Sequence, residues 1–502
     1  MRIPRQWFGS PGQRASRRTG CDASLRPPLR RGSPRHLVRA ATLGLLLGWA
    51  AWGENRAPLL ALLLPFLVAT RASRHEAALI AAGYALGLLR LHGAFVARWF
   101  ADDAWLGGGV MLICACITSA VWSFGWSAAA SGLARAMRML TAWLLALLPP
   151  AALAAPGHPL VAIGYMLPST GWCGVAASAL LAAAAGYIGP RRPASIANAF
   201  MCTAAIVLAG TGVSLAHVQN ARQPQGIVGM TTHWGALQGV DDALARLQRM
   251  GVSAKRRPSA IVLWPESVIG RYEPGMQPVL ELELLQASRR GGETQVVGMD
   301  LAMPDGRLMS AAVAFRPDGS IETAVARQPA PLALWRPWLI ERTFVADWGA
   351  SNMLRLDEAN QAAVIFCYEE YVPVMYLINE LRNRPTLYFA IANTWAAPSN
   401  AAAIQTWHSL GMARLFGRSY YKAENRESRE SRDARGEEPD AWLLAGPTKR
   451  SNSGSAFKNC AFAHEPAPSF PSPRRQRTSL AASACRCLPR RHRLLMLTVA
   501  RR

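Results

Sequence analysis

Long apolar runs fill the first 216 residues, and they constrain this chain more than any other feature. A bilayer core is crossed by about 20 consecutive apolar residues in a helix. Residues 37–53, 57–70, 76–97, 105–126, 139–156, 160–188 and 195–216 each read as such a run, which predicts seven spans, the second of them short. The first run could pass for the apolar core of a secretory signal, but two more follow too soon for a simple cleaved leader. Of the 502 residues, 51% are hydrophobic and 17% charged; the charges are sparse in this half, and after about residue 216 they alternate with apolar residues as in a soluble domain.

The loops between the runs alternate in charge, and the rule that basic loops stay cytoplasmic turns this into a topology. Arg26, Arg30, Arg31, Arg35 and Arg39 precede the first run; Arg71 with Arg74, Arg135 with Arg138, and Arg191 with Arg192 occupy every second loop. The intervening loops carry Glu54 with Arg56, Arg98 with Asp102 and Asp103, and Gly157-His158-Pro159. An odd number of spans then places the N-terminus in the cytoplasm and everything after about residue 217 on the outer face, the periplasm if the membrane is a bacterial inner membrane. Membrane lipids are the first partners this implies. Small residues recur in the runs, which favours close helix packing. Such helices either anchor the outer domain or form a lateral opening for a lipid.

The net charge of +24 comes largely from Arg at the two ends and in short loops, a pattern that serves topology and unstructured tails better than a nucleic-acid groove. No nucleic-acid partner is expected. The nine Cys form no CxxC pair and no His-spaced cluster, and no nucleotide or cofactor fingerprint occurs, so neither a metal nor a cofactor is predicted.

From Gln225 short apolar strands alternate with helical segments, the signature of a layered α/β domain. Strands are predicted at 226–230, 260–264, 295–298, 309–316, 362–366 and 386–392, with helices at 240–250 and 401–413. Two strands run straight into chemistry. Trp264-Pro265-Glu266-Ser267 delivers a carboxylate at a strand end, and Ile365-Phe366-Cys367-Tyr368-Glu369-Glu370 delivers a thiol in the same way. A thiol with an ordinary pKa of about 8.5 needs a base to become a nucleophile. A half-buried Glu can take that proton and later return it. His408, on the helix at 401–413 beside Trp407, reads as a packed residue rather than a partner for Cys367.

The Glu-then-Cys order, about 100 residues apart, resembles the carbon–nitrogen hydrolase (nitrilase) superfamily, whose catalytic Glu, Lys and Cys follow in that order. With spans in front, the chain resembles apolipoprotein N-acyltransferase. Arg327-Gln-Pro-Ala-Pro331, Leu334-Trp-Arg-Pro-Trp338, Ala392-Asn-Thr-Trp-Ala-Ala-Pro398 and residues 405–418 bring it nearer the conjugal transfer protein TraB family. The resemblance covers about residues 37–426 and implies an αββα sandwich after the helical domain, with Glu266 as general base, Cys367 as nucleophile and Glu369 as a supporting carboxylate. The family's Lys has no counterpart, because no Lys occurs between Lys255 and Lys422; Arg327 stands near its place. The Phe-Gly-Glu stretch of the acyltransferase is absent as well.

Three functions follow from this resemblance: a TraB-type amidohydrolase or acyltransferase, a lipoprotein N-acyltransferase taking acyl chains from phospholipid, or an inactive relative that binds a conjugation-apparatus protein. The Arg-, Pro- and Ser-rich residues 1–36 should be disordered. Residues 427–502 lose all periodicity, and their composition suggests a shifted reading frame.

Overall fold

The computed structural model describes residues 34–53, 57–100, 103–129, 131–154, 156–189, 226–254, 260–339, 343–358 and 360–428. The span expected at 195–216 and nearly all of both terminal segments lie outside them. The first half is helical: α1 (Pro34–Trp52), α2 (Leu63–Ala69) after a 3-10 turn at Pro58–Leu62, α3 (Arg74–Leu89), α4 (His92–Trp99), α5 (Ala104–Gly125), α6 (Gly132–Leu147), α7 (Ala151–Ala154), α8 (Pro159–Met166) and α9 (Trp172–Ile188). Among the described residues, only α5 is long and apolar enough to cross a membrane, or two segments if α3 and α4 form one span with a 57° bend.

Of the six expected spans that fall on described residues, only 105–126 is matched by one such helix. The helix α1 over 37–53 does not reach that length and apolarity together, 57–70 is a 3-10 turn followed by the seven-residue α2, and the other three runs are broken. The run 76–97 breaks between α3 and α4. The run 139–156 stops where Pro149 and Pro150 end α6. The run 160–188 is two helices, because Pro168 cannot continue α8 and Gly171 takes a φ of 53°. Every residue of α8 is buried, so its apolar character reflects burial by protein.

Helices α1 and α3 pack backbone to backbone. Gly44 and Gly48 on α1 face Ile80 and Tyr84 of α3, and Gly83 and Gly87 face Ala41 and Leu45 of α1; a Cβ at any of the four would collide with a facing carbonyl. This reciprocal Gly-xxx-Gly pairing is what permits so close an approach. At one end of the bundle Trp126 Nε1 donates to Arg71 O (2.9 Å), Arg74 to Ser123 O (3.2 Å) and Arg135 to Gly186 O (3.3 Å). The opposite end meets the second half of the chain.

That second half has two facing sheets. One has the order β1-β3-β4-β5-β6, from β1 (Ile227–Gly229), β3 (Ile261–Leu263), β4 (Thr294–Ala302), β5 (Leu308–Phe315) and β6 (Ile321–Val325). The other has the order β2-β10-β9-β8-β7, from β2 (Thr231–Thr232), β7 (Met353–Arg355), β8 (Gln361–Phe366), β9 (Leu387–Asn393) and β10 (Ser419–Asn425). Residues of alternating register, Val296, Ala312 and Ala314 on one sheet and Val364, Phe366, Phe389 and Ile391 on the other, form the core between them. The outer face of the first sheet is covered by α10 (Val240–Ala254) and a segment running through α11 (Gln277–Leu280) to α12 (Gln286–Gly291). The outer face of the second is covered by α13 (Pro373–Arg382) and α14 (Ser399–Leu415). The layers are those of the αββα sandwich expected above.

One hydrophobic cluster runs from α1 and α3 through α8 and α14 onto the second sheet, so bundle and sandwich share a core. Trp52 stacks on His408 with ring centroids 4.0 Å apart, Tyr165 donates to Trp407 O (2.6 Å), and a Cβ at Gly164 would strike Gly411 O. The turn after α8 also satisfies the last carbonyls of α14: Ser169 N donates to Arg414 O and Gly171 N to Leu415 O, each at 2.7 Å.

The glycine seam yields a direct test. Gly83→Leu should lower unfolding stability in detergent by about 1–3 kcal/mol through overpacking. Gly109→Ala, at a position where an added Cβ meets nothing within 4 Å, should be neutral or slightly stabilising. Thermal unfolding of both variants checks the contrast.

Candidate active site

Glu266 and Cys367 come from different sheets and meet at their strand ends. After β3, Trp264 N donates to Val296 O (2.8 Å) and the chain turns sharply at Ser267, whose φ is 46°. Ser267 Oγ donates to Asp300 Oδ1 (2.5 Å) and Val268 N to Gly298 O (3.1 Å), which pins the turn to β4. Gly298 must be glycine here, since a Cβ would strike Pro265 O and the Glu266 backbone. Cys367, directly after β8, also has a positive φ, 24°. Such conformations cost about 1–3 kcal/mol each for non-glycine residues and persist only where their surroundings impose them.

Glu266 is buried and accepts from Ser310 Oγ (3.1 Å), with the Cys367 thiol beside it. Burial, reinforced by the charge of Asp300, pushes its carboxyl up to about 8. Asp300, buried in turn, is pushed up to about 6. Burial also raises the Cys367 thiol well above its ordinary range, with the charges of Glu266 and Glu370 acting in the same direction; the Asn393 amide and Gln405 oppose them. The resting site thus sets a neutral thiol beside a carboxyl raised to about 8.

Glu369 does not reach out to a substrate. One carboxylate oxygen accepts from Arg327 N (2.6 Å) and Gln328 N (2.8 Å), the other from Phe366 N (3.1 Å). Burial pushes it up to about 7 against these three amides. Arg327 supplies its backbone amide to this knot, while its guanidinium donates to Ala350 O (2.9 Å) and Asn379 Oδ1 (2.5 Å). No contact among the described residues joins that guanidinium to Cys367 or Glu266. His408 is fully buried; its Nδ1 meets Ile404 O at 2.8 Å, in keeping with a packed residue.

Sequence reading assigns no role to four neighbours: Ser310 and Lys422, which lie outside the motifs, and Glu370 and Gln405, which lie within them. Gln405 Nε2 donates to Cys367 O (2.6 Å) and to Glu370 Oε1 (2.9 Å), and Lys422 Nζ lies 3.2 Å from Glu370 Oε1. The period-2 pattern of β10, with Tyr421 and Ala423 facing the core, was the available signal for Lys422.

Cys367 also lines a cavity of about 390 Å³ between sandwich and bundle. Its walls come from Phe95, Val96 and Trp99 of α4, Val110 and Ile113 of α5, Leu153 of α7, and Pro331, Leu332 and Trp335 of the strap after β6. They are apolar apart from His92, Gln405, the tyrosine hydroxyls and the thiol. Ile113 of α5, which lines this cavity, is 59% exposed.

No family model matches the chain. It is 27% identical over 402 residues to the conjugal transfer protein TraB of Agrobacterium fabrum, covering 76% of this chain and 91% of that protein. A probable conjugal transfer protein TraB of Sinorhizobium fredii is 26% identical over 396 residues, covering 77% and 96%. Among solved structures, an amidase from Nesterenkonia sp. shares 15% identity at a TM-score of 0.31, covering 41% of this chain and 78% of its own. A carbon–nitrogen hydrolase superfamily protein from Xanthomonas campestris shares 16% at 0.29, covering 41% and 77%.

Two predictions follow from the electrostatics. Alkylation of Cys367 should accelerate as pH rises through about 8, where Glu266 becomes able to accept the thiol proton; Glu266→Gln should remove that step and slow alkylation at pH 8 on the order of 100-fold. Because the folded-state pKa of Glu266 is raised, its contribution to stability is complete below its unfolded value and is lost as pH rises toward 8. Glu266→Gln should therefore stabilise the protein at pH 7, by on the order of 3 kcal/mol, and flatten the fall in Tm between pH 5 and 8. Calorimetry at those two pH values measures it.

Proposed function

We propose that this chain is a membrane-integrated, TraB-type relative of the nitrilase superfamily, and that Cys367 takes an acyl group from a long-chain donor and passes it to an amine or to water. The observation that carries this reading is the apolar cavity ending at the thiol. A small polar amide needs convergent polar groups to fix it, whereas these walls suit a hydrocarbon chain, which favours acyl transfer over small-amide hydrolysis.

In the reaction, Glu266 takes the thiol proton as the sulfur attacks the acyl carbonyl. The tetrahedral oxyanion collapses, the bond to the leaving alcohol or amine breaks, and Glu266 returns the proton to that leaving group. The product is a thioester on Cys367. The incoming amine or water then attacks the thioester, gives its proton to Glu266 and releases the thiol, which is reprotonated. Phospholipid is the donor most readily supplied to such a cavity; the acceptor is a lipoprotein or a protein of the conjugation apparatus. Lipoprotein N-acylation is the second reading, favoured by the same cavity.

Membrane integration is supported by the outer surface of the bundle. Leu45, Leu46 and Trp49 on α1, Trp105 and Leu112 on α5, Met137 and Leu144 on α6, and Leu180 on α9 are all exposed, and Trp105 reaches 92%. Burying such a surface in lipid is favourable, whereas soluble monomers rarely carry it. The orientation is supported by the positions of Arg71, Arg74 and Arg135, at the end of the bundle remote from the sandwich. We place that end in the cytoplasm of a bacterial inner membrane and the sandwich in the periplasm. Cysteine-accessibility mapping of the two ends in intact cells tests this; sandwich labelling from the cytoplasmic side contradicts it.

Filling the cavity tests the substrate class. Val110→Trp should reduce acylation of Cys367 by a long-chain nitrophenyl ester at least tenfold more than acylation by the acetyl ester, followed as nitrophenol release. Equal losses for both esters would dissociate the cavity from the chemistry.

A further inference from the structure

Lys422 lies far from any motif that would call attention to it. On β10, Tyr421 and Ala423 enter the core between the sheets, which turns Lys422 and Glu424 to the opposite face, beneath α14. The Lys422 ammonium lies 3.2 and 3.4 Å from the two oxygens of Glu370, donates to Thr406 Oγ1 (2.8 Å) and stands 3.9 Å from Glu424 Oε1. Glu370 is 1% exposed and accepts from Ser409 Oγ (2.6 Å) and Tyr420 OH (3.0 Å) as well as from Gln405. Gln405 holds the Cys367 carbonyl. A cation and an anion taken out of water together cost several kcal/mol unless each is closely paired. None of the roles described so far accounts for such a pair beside the thiol.

We propose that Lys422 is the positioning cation of this site: paired with Glu370, it fixes Gln405 against the strained Cys367 backbone and screens the thiol from the Glu370 charge. This rests on Cys367 being the nucleophile. It also answers the lack of any Lys in the chain between the Glu266 and Cys367 motifs. The cation comes from β10, after the thiol in sequence, and acts through two side chains rather than on the substrate. The other charged and titratable groups around the thiol do not fill this role. Glu266 and Glu369 are carboxylates, Tyr371 and Tyr376 are phenols raised by burial, and His408 stacks on Trp52. Glu424 is occupied by Arg426 at 2.8 Å and Thr394 at 2.9 Å.

The test uses the full chain in lipid nanodiscs, with iodoacetamide alkylation of Cys367 read by peptide mass spectrometry between pH 6 and 10. Lys422→Met should slow alkylation at pH 7.5 about tenfold and raise the midpoint by roughly one pH unit. Lys422→Arg should recover most of the wild-type rate. The double variant Lys422→Met with Glu370→Gln should return the midpoint toward wild type, because both charges leave together. Should Lys422→Met fail to fold, Lys422→Gln carries the same comparison. A wild-type alkylation profile in Lys422→Met overturns the proposal, and so does a loss that neither Arg nor the double variant repairs while Tm falls, which is a purely structural role. A wild-type Cys367 that resists alkylation at every pH overturns the nucleophile reading itself, and this proposal with it.

Discussion

Three backbone amides converge on the carboxylate of Glu369, and the rest of the site depends on that knot. Phe366 N belongs to the end of β8, and Arg327 N and Gln328 N open the strap that follows β6. A single buried side chain thus fastens the two sheets to one another where the thiol emerges and sets where the strap begins. The strap then supplies Pro331, Leu332 and Trp335 to the cavity wall. Leaving three buried amides without an acceptor would cost about 1–3 kcal/mol each. The carboxylate is therefore a scaffold for the turn that presents Cys367, and its position two residues after the thiol follows from the short reach such a turn allows.

The helical half also shapes the site. The tyrosines beside the thiol reach into the bundle: Tyr368 donates to Leu153 O, and Tyr371 OH lies 2.8 Å from His92 Nε2. Trp99 stacks on Trp395, just past β9, with centroids 5.6 Å apart. Since α8 is buried against α14, separating bundle from sandwich would expose a continuous apolar surface on both. A thiol at such a seam is largely shielded from water and faces the space between α4, α5 and the strap. The low dielectric that makes Glu266 reluctant to ionise also makes it a base of useful strength near neutral pH.

Much of this was readable in the sequence, for identifiable reasons. Trp264-Pro265-Glu266 and Phe366-Cys367 each close an apolar strand, and position at a strand end survives into the fold unchanged. Helices α1 and α5 were readable from their length. Where the reading failed, hydropathy could not distinguish burial by lipid from burial by protein: α8 is as apolar as a span yet packs under the sandwich. The breaks at Pro149, Pro150, Pro168 and Gly171 were visible as residues but were overridden by the apolar composition around them. The Gly44, Gly48, Gly83 and Gly87 pairing needed knowledge of which helices are neighbours. Arg327 was drawn toward the thiol by its place in the chain, whereas its guanidinium turns to Asn379 on α13. Alternation along β10 could place Lys422 on the face opposite Tyr421 and Ala423, but its pairing with Glu370 was not readable, because the two are distant in sequence and are brought close only by the parallel order of β8, β9 and β10.

Cys367 is proposed to carry an acyl chain drawn from the lipid side. Intact-mass and peptide mass spectrometry of the full chain, incubated in nanodiscs of a single phospholipid, tests it most directly. The expected result is a mass increase of one acyl group on Cys367 that is removed by neutral hydroxylamine and absent in Cys367→Ala. An unmodified Cys367 after prolonged incubation with phospholipid, in protein whose thiol alkylates normally, would contradict it.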